Sequence, residues 1–139
     1  MCRQEARALS LSPLIRNEAE VELEAWDDPV KGRVTWRTLV SGDRTPSSGL
    51  TQGVADVEAT EDGAPRVHRH RQAETYYILS GRGVMRIAGV DYPLSPGDVV
   101  FIPGGVWHGA CAVGDAPLRL LYTFAADSFT DVVYEFPES

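Results

Sequence analysis

The chain has 139 residues, 43% of them hydrophobic and 24% charged, which is the length of one domain with enough apolar surface for a sizeable core. A formal net charge of -7 argues against nonspecific binding to nucleic acid or to an anionic membrane, because both are polyanions, and leaves a small molecule as the expected ligand. No apolar run reaches membrane-spanning length, Cys2 and Cys111 have neither zinc-knuckle nor disulfide-framework spacing, and MCRQEARALSLSPLIR lacks the apolar core of a signal peptide, so the cytoplasm is the expected compartment.

Residues 1–20 carry mixed charge and Pro13 and are expected to form an irregular or loosely helical arm on a domain spanning 21–139. From Val34 onward, short apolar-alternating runs recur between turn residues. VTWRTLV and LTQGVADVEA come first, followed by RVHRH, TYYIL, GVMRIAG, VDYPL, DVVFIP, VWHGACAV, LRLLYTF and DVVYEF. About nine or ten strands without a long helix predict an all-β sandwich or barrel. GRG at 81–83, AGVD at 88–91 and SPGD at 95–98 read as turns between neighbouring antiparallel strands, and IPGG at 102–105 as a tight return that sets the VWHGA strand beside its predecessor. Cys111 reads as a small buried hydrophobe.

The chemistry concentrates in HRHRQAETYYILSGRG, residues 68–83, which holds two of the three histidines. On a strand, His68 and His70 point to one face while Arg69 and Arg71 point to the other. Glu74 follows, and Tyr76 shares its face. If the strand carrying His108 lies alongside, three imidazoles and one carboxylate converge, a donor set suited to one divalent transition metal (Fe, Mn, Ni, Zn or Co) that leaves positions for substrate or water. Trp36, Trp107, Tyr122 and Phe124 are either barrel filling or the aromatic wall of a substrate pocket, a wall that would suit an onium cation. The arginines of RVHRHR alternate away from the histidines in an acidic chain, which argues against a nucleic-acid patch.

Gly63-x4-His68-x-His70-x3-Glu74-x6-Gly81 resembles the first motif of the cupins, one residue shorter at its start than the usual form, and Gly97-x5-Pro103-x-Gly105-x2-His108 resembles the second, with Ala112 where many cupins have Asn. The resemblance implies a double-stranded β-helix, or jelly-roll barrel, with a metal at its centre. Over roughly residues 24–137 the chain is similar to the small cupin lyases that cleave dimethylsulfoniopropionate (DMSP) to acrylate and dimethyl sulfide. That likeness implies Tyr76, two residues after the metal-ligand glutamate, as the base, and Tyr134 as a second catalytic tyrosine. Other cupin chemistries stay open: an iron-dependent dioxygenase, a metal-dependent isomerase or cyclase, and a non-catalytic ligand-binding protein. A homodimer is the expected assembly.

Overall fold

The computed structural model describes residues 12–137. Cys2 and the first part of the expected arm lie outside the described residues. The rest of the arm enters as a 3-10 turn, Glu18–Glu20, in which the side chain of Asn17 accepts the amide of Ala19. It is tied to the domain by Arg37, which donates to the carbonyls of Glu18 and Val21 at 3.1 and 2.9 Å. Among the described residues no helix is long and apolar enough to cross a membrane.

Nine strands follow: β1 (Glu24–Asp28), β2 (Gly32–Val40), β3 (Thr51–Val57), β4 (Glu74–Ser80), β5 (Gly83–Ile87), β6 (Val90–Leu94), β7 (Val99–Ile102), β8 (His108–Ala112) and β9 (Leu118–Phe124). They form two antiparallel sheets, a six-stranded one in the order β1-β2-β3-β9-β4-β7 and a three-stranded one in the order β6-β5-β8. This is an all-β fold, as the strand rhythm predicts, and a jelly roll, as the motif resemblance implies. Period-two alternation decides what each strand buries. In β4, Glu74, Tyr76 and Ile78 face inward while Tyr77 and Leu79 are exposed. In β9, Leu118, Leu120, Tyr122 and Phe124 face the same interior. Ile78, Met85, Ile102, Leu118 and Phe124, drawn from both sheets, are sealed from solvent, and each stabilises the barrel by roughly 1.5–3 kcal/mol relative to exposure.

The structure differs from the sequence-based expectation in its connections. Only AGVD closes a hairpin between paired strands, β5 and β6, where Ala88 (φ 49°) and Gly89 (φ 81°) supply the two left-handed residues of a tight two-residue turn. GRG, SPGD and IPGG instead carry the chain from one sheet to the other. IPGG therefore does not set β8 beside β7: β7 pairs with β4, and β8 pairs with β5. At the GRG crossing, Gly81 (φ 81°) lies so close to the Pro117 carbonyl that any Cβ would collide with it, so the chain leaves the sheet plane at a point only glycine can occupy. RVHRH and DVVYEF do not form full strands. Each contributes isolated bridges, His68 with His108 and Arg69 with Glu135, because residues 68 and 69 turn to different partners and the start of DVVYEF is taken up by a 3-10 turn, Phe129–Asp131, capped by Ser128. β1 was not expected, because EAWDD has too few apolar residues to alternate.

Candidate metal centre and its cavity

His68 and His108 are joined by a reciprocal pair of backbone hydrogen bonds, N–H to O=C in each direction at 2.9 Å, so their side chains leave the same face of the bridge. His70, two residues on, shares that face. The imidazole centroids of His68 and His70 stand 4.7 and 4.9 Å from that of His108, and one ring nitrogen from each of the three lies within 4.8 Å of the other two. β4 begins at Glu74, which aims its carboxylate at the same place: Oε1 is 3.1 Å from His70 Nε2 and 3.3 Å from His108 Nε2. His70, Glu74 and His108 are each at most 4% exposed.

The hydrogen bonds behind the rings define what this cluster wants. His70 Nδ1 is 3.0 Å from the Gln72 carbonyl, and His108 Nδ1 is 3.0 Å from the Val106 carbonyl. A carbonyl only accepts, so each Nδ1 carries the hydrogen, and in a neutral ring each Nε2 presents a lone pair to Glu74. His108 Nε2 is buried without a hydrogen-bond partner. Burial, reinforced by the neighbouring His108 and His70, lowers the His68 pKa well below the usual imidazole range and keeps that ring neutral. Two imidazole nitrogens face one buried carboxylate oxygen at 3.1 and 3.3 Å, a set of ligand atoms that a cation among them would satisfy together. The donor set fits a divalent transition metal.

A cavity of about 90 Å³ opens beside the cluster. Of the residues singled out in the sequence, His68, Glu74, Tyr76, Tyr134, Trp36, Tyr122 and Phe124 all line it. Tyr76 faces Tyr122 across the β4–β9 ladder, and its ring is 6.5 Å from that of His108. The Tyr134 ring is 4.9 Å from His68 and 5.4 Å from His70. The Tyr76 and Tyr134 phenols are pushed well above their ordinary pKa, by burial first and then by the charge of Glu74, which holds both neutral. Trp36 Nε1 and the Tyr122 hydroxyl are buried without partners on the same cavity, so two polar groups there are open to a ligand.

Trp107 is the exception among the four aromatic residues expected as barrel filling or pocket wall. It is absent from the cavity wall, and its ring instead takes the Arg69 guanidinium at 4.6 Å. The alternation that sends Arg69 away from the histidines sends Trp107 away as well, since it immediately precedes His108. Three aromatic residues near the site escaped the sequence reading. Trp26 on β1 lies 6.0 Å from His68 and 5.1 Å from Tyr134, Phe136 lies 6.1 Å from His68, and Phe129 packs 6.2 Å from both Trp36 and Tyr134. A signal for Phe136 was present: in YEF it shares the parity of Tyr134. Trp26 had none, because its strand carries no apolar pattern. Cys111 is fully buried, as expected.

Comparison with known proteins agrees with this geometry. A family model described as a cupin domain matches residues 54–124. The chain is 36% identical over 119 residues to dimethylsulfoniopropionate lyase DddW from Ruegeria pomeroyi, an alignment covering 86% of this chain and 76% of that protein. Among solved structures, it is similar to a predicted oxalate decarboxylase from Thermotoga maritima (TM-score 0.68, 26% identity, 81% of this chain and 99% of the other). It is also similar in fold to a cupin-2 domain protein from Rhodospirillum rubrum (TM-score 0.71, 24% identity, 93% and 83%).

Proposed function

Since this chain belongs to the cupin family, we propose that it is a metal-dependent enzyme acting on a small carboxylate, with the cleavage of DMSP to acrylate and dimethyl sulfide as its lead reaction. The observation that carries the reading is that Tyr76 and Tyr134 line one cavity together with His68 and Glu74, inside walls that are mostly aromatic and aliphatic but also carry Lys31, Arg33, Glu58 and Arg66. Likeness to the Ruegeria pomeroyi lyase supports the choice of substrate.

His68, His70, Glu74 and His108 would hold one divalent ion, iron, manganese, nickel, zinc or cobalt. When bound, that ion supplies a Lewis acid for the substrate carboxylate and lowers the cost of a nearby phenolate. The remaining roles belong to the chain. Tyr76, held neutral by its burial, would with the ion bound give up its proton to solvent, and its Oη as phenolate would take the proton from the carbon next to the carboxylate; the C–H electron pair becomes the new C=C bond, and the β-carbon–sulfur pair leaves with neutral dimethyl sulfide. Tyr134, against His68 and His70, bounds the reacting end. Trp36, Tyr122 and Phe124 exclude water and orient the substrate.

The test is metal analysis of the purified protein followed by a product screen on DMSP and other small carboxylates, with and without O₂. Equal yields of acrylate and dimethyl sulfide, independent of O₂ and lost on metal removal, are expected. A product that appears only with O₂ would replace the lyase reading with a dioxygenase, and isomerisation or cyclisation of another carboxylate would replace it with a carbonyl-polarising role.

A further inference from the structure

One contact on the cavity wall stands against ordinary electrostatics. In a chain of net charge -7, the Lys31 ammonium has no ion pair among the described residues; it rests instead on two aromatic rings, 5.6 Å from the Trp26 centroid and 5.2 Å from the Phe136 centroid. The rings are 5.6 Å apart at 78°, forming a corner, and each lies about one ring's breadth from His68, at 6.0 and 6.1 Å. Lys31 and Trp26 both line the cavity. A quadrupolar corner that holds the chain's own cation is a corner that binds cations.

The backbone places Lys31 there firmly. It closes the β1–β2 turn, where Asp28 Oδ1 accepts the amides of Val30 and Lys31 at 2.8 and 2.6 Å and Gly32 takes the left-handed conformation (φ 88°). The Cα is fixed while four methylenes leave the ammonium free to swing out into water.

We propose that Lys31 is a resident placeholder in the Trp26–Phe136 corner, a cation site beside the cavity that the sulfonium end of the substrate must take from it. Lys31 is thus a specificity-determining residue: it fills the subsite in the free protein and raises the threshold for any ligand too weakly cationic to replace it. The inference rests on the lyase reading for the substrate's charge, but its test does not, because the first probe carries no carboxylate.

The dissociation constant of trimethylsulfonium chloride is measured by calorimetry on the full chain and on Lys31→Met, Lys31→Arg and Phe136→Leu. Lys31→Met, which keeps the length and loses the charge, should bind about tenfold tighter than the parent, Lys31→Arg within about twofold of it, and Phe136→Leu several-fold weaker. The second probe is DMSP against 4-methylpentanoate, the carbon isostere that keeps the carboxylate and lacks the sulfonium charge. Lys31→Met should tighten DMSP and leave the isostere unchanged, whereas a steric effect would tighten both. Equal or weaker trimethylsulfonium binding by Lys31→Met overturns the inference, as does weaker binding of both carboxylates, which would make Lys31 an anion anchor. If trimethylsulfonium responds as stated but DMSP is never cleaved, the lyase reading fails alone. If DMSP is cleaved with a KM indifferent to Lys31→Met, the subsite fails alone.

Discussion

His108 Nε2 and Glu74 Oε1 stand 3.3 Å apart in the barrel interior, and His108 Nδ1 is committed to the Val106 carbonyl, so the two facing atoms are both lone-pair bearers when the ring is neutral. A bound cation would satisfy both atoms at once. Metal-loaded protein should therefore melt above chelated protein by about 5–10 °C when free metal is a hundredfold over its dissociation constant. His68→Ala and His108→Ala should each lower metal content and shrink this difference, as read by elemental analysis and calorimetry. Full metal retention in both would place the ion elsewhere.

Tyr76→Phe removes one hydroxyl and keeps the ring that faces Tyr122 across the β4–β9 ladder. Packing is conserved, so the melting temperature and metal content should hold. Turnover should fall by about a hundredfold to ten-thousandfold, the usual cost of losing a general base. Near-parental kcat at equal metal occupancy would show that another group takes the proton.

Gly109→Ala tests the bridge that aligns His68 with His108. A Cβ at Gly109 would collide with the carbonyl of Arg66 and press on Val67, the residue before His68. The contact is with backbone, which has little room to yield, so the variant should lose about 1–3 kcal/mol in denaturant unfolding and bind metal more weakly. Unchanged stability would mean that residues 66–68 shift freely.

Arg69 joins three parts of the molecule: its backbone bridges Glu135, its guanidinium pairs with the Glu135 carboxylate, and the same group lies over Trp107. Both ion-pair partners are substantially exposed, so that pair contributes little. The stacking contributes more, and a double-mutant cycle of Arg69→Ala and Trp107→Ala should return a coupling of about 0.5–1 kcal/mol. A coupling near zero would leave Trp107 without a structural role on the outer face.

What the sequence made legible follows from the reach of its rules. Period-two alternation with motif spacing brings His68, His70, Glu74 and Tyr76 to one interior, because all four lie within nine consecutive residues and parity does not depend on which strand is the neighbour. His108 arrives through pairing of β8 with β5, a non-local choice that parity cannot make; IPGG, read as a local return, could not reveal it. Parity rather than residue type decides where Trp107 lies: it immediately precedes His108 and so faces away from the cavity, over Arg69. Trp26 and Lys31 were invisible because their position near the site depends on how the β1–β2 hairpin packs against the C-terminal segment.

The hops of GRG, SPGD and IPGG between sheets also set the order of events in time. Only β1–β2, β2–β3 and β5–β6 join strands adjacent in the chain, whereas β3–β9, β4–β9 and β5–β8 close loops across long stretches of it, a topology that folds slowly. The histidine cluster needs one of those late closures, since His108 reaches His68 only when β8 has docked on β5. The expectation is that the candidate metal site is completed after the rate-limiting step rather than before it. Metal should leave the refolding rate nearly unchanged and slow unfolding instead, so that the ion acts as a latch on a barrel already assembled.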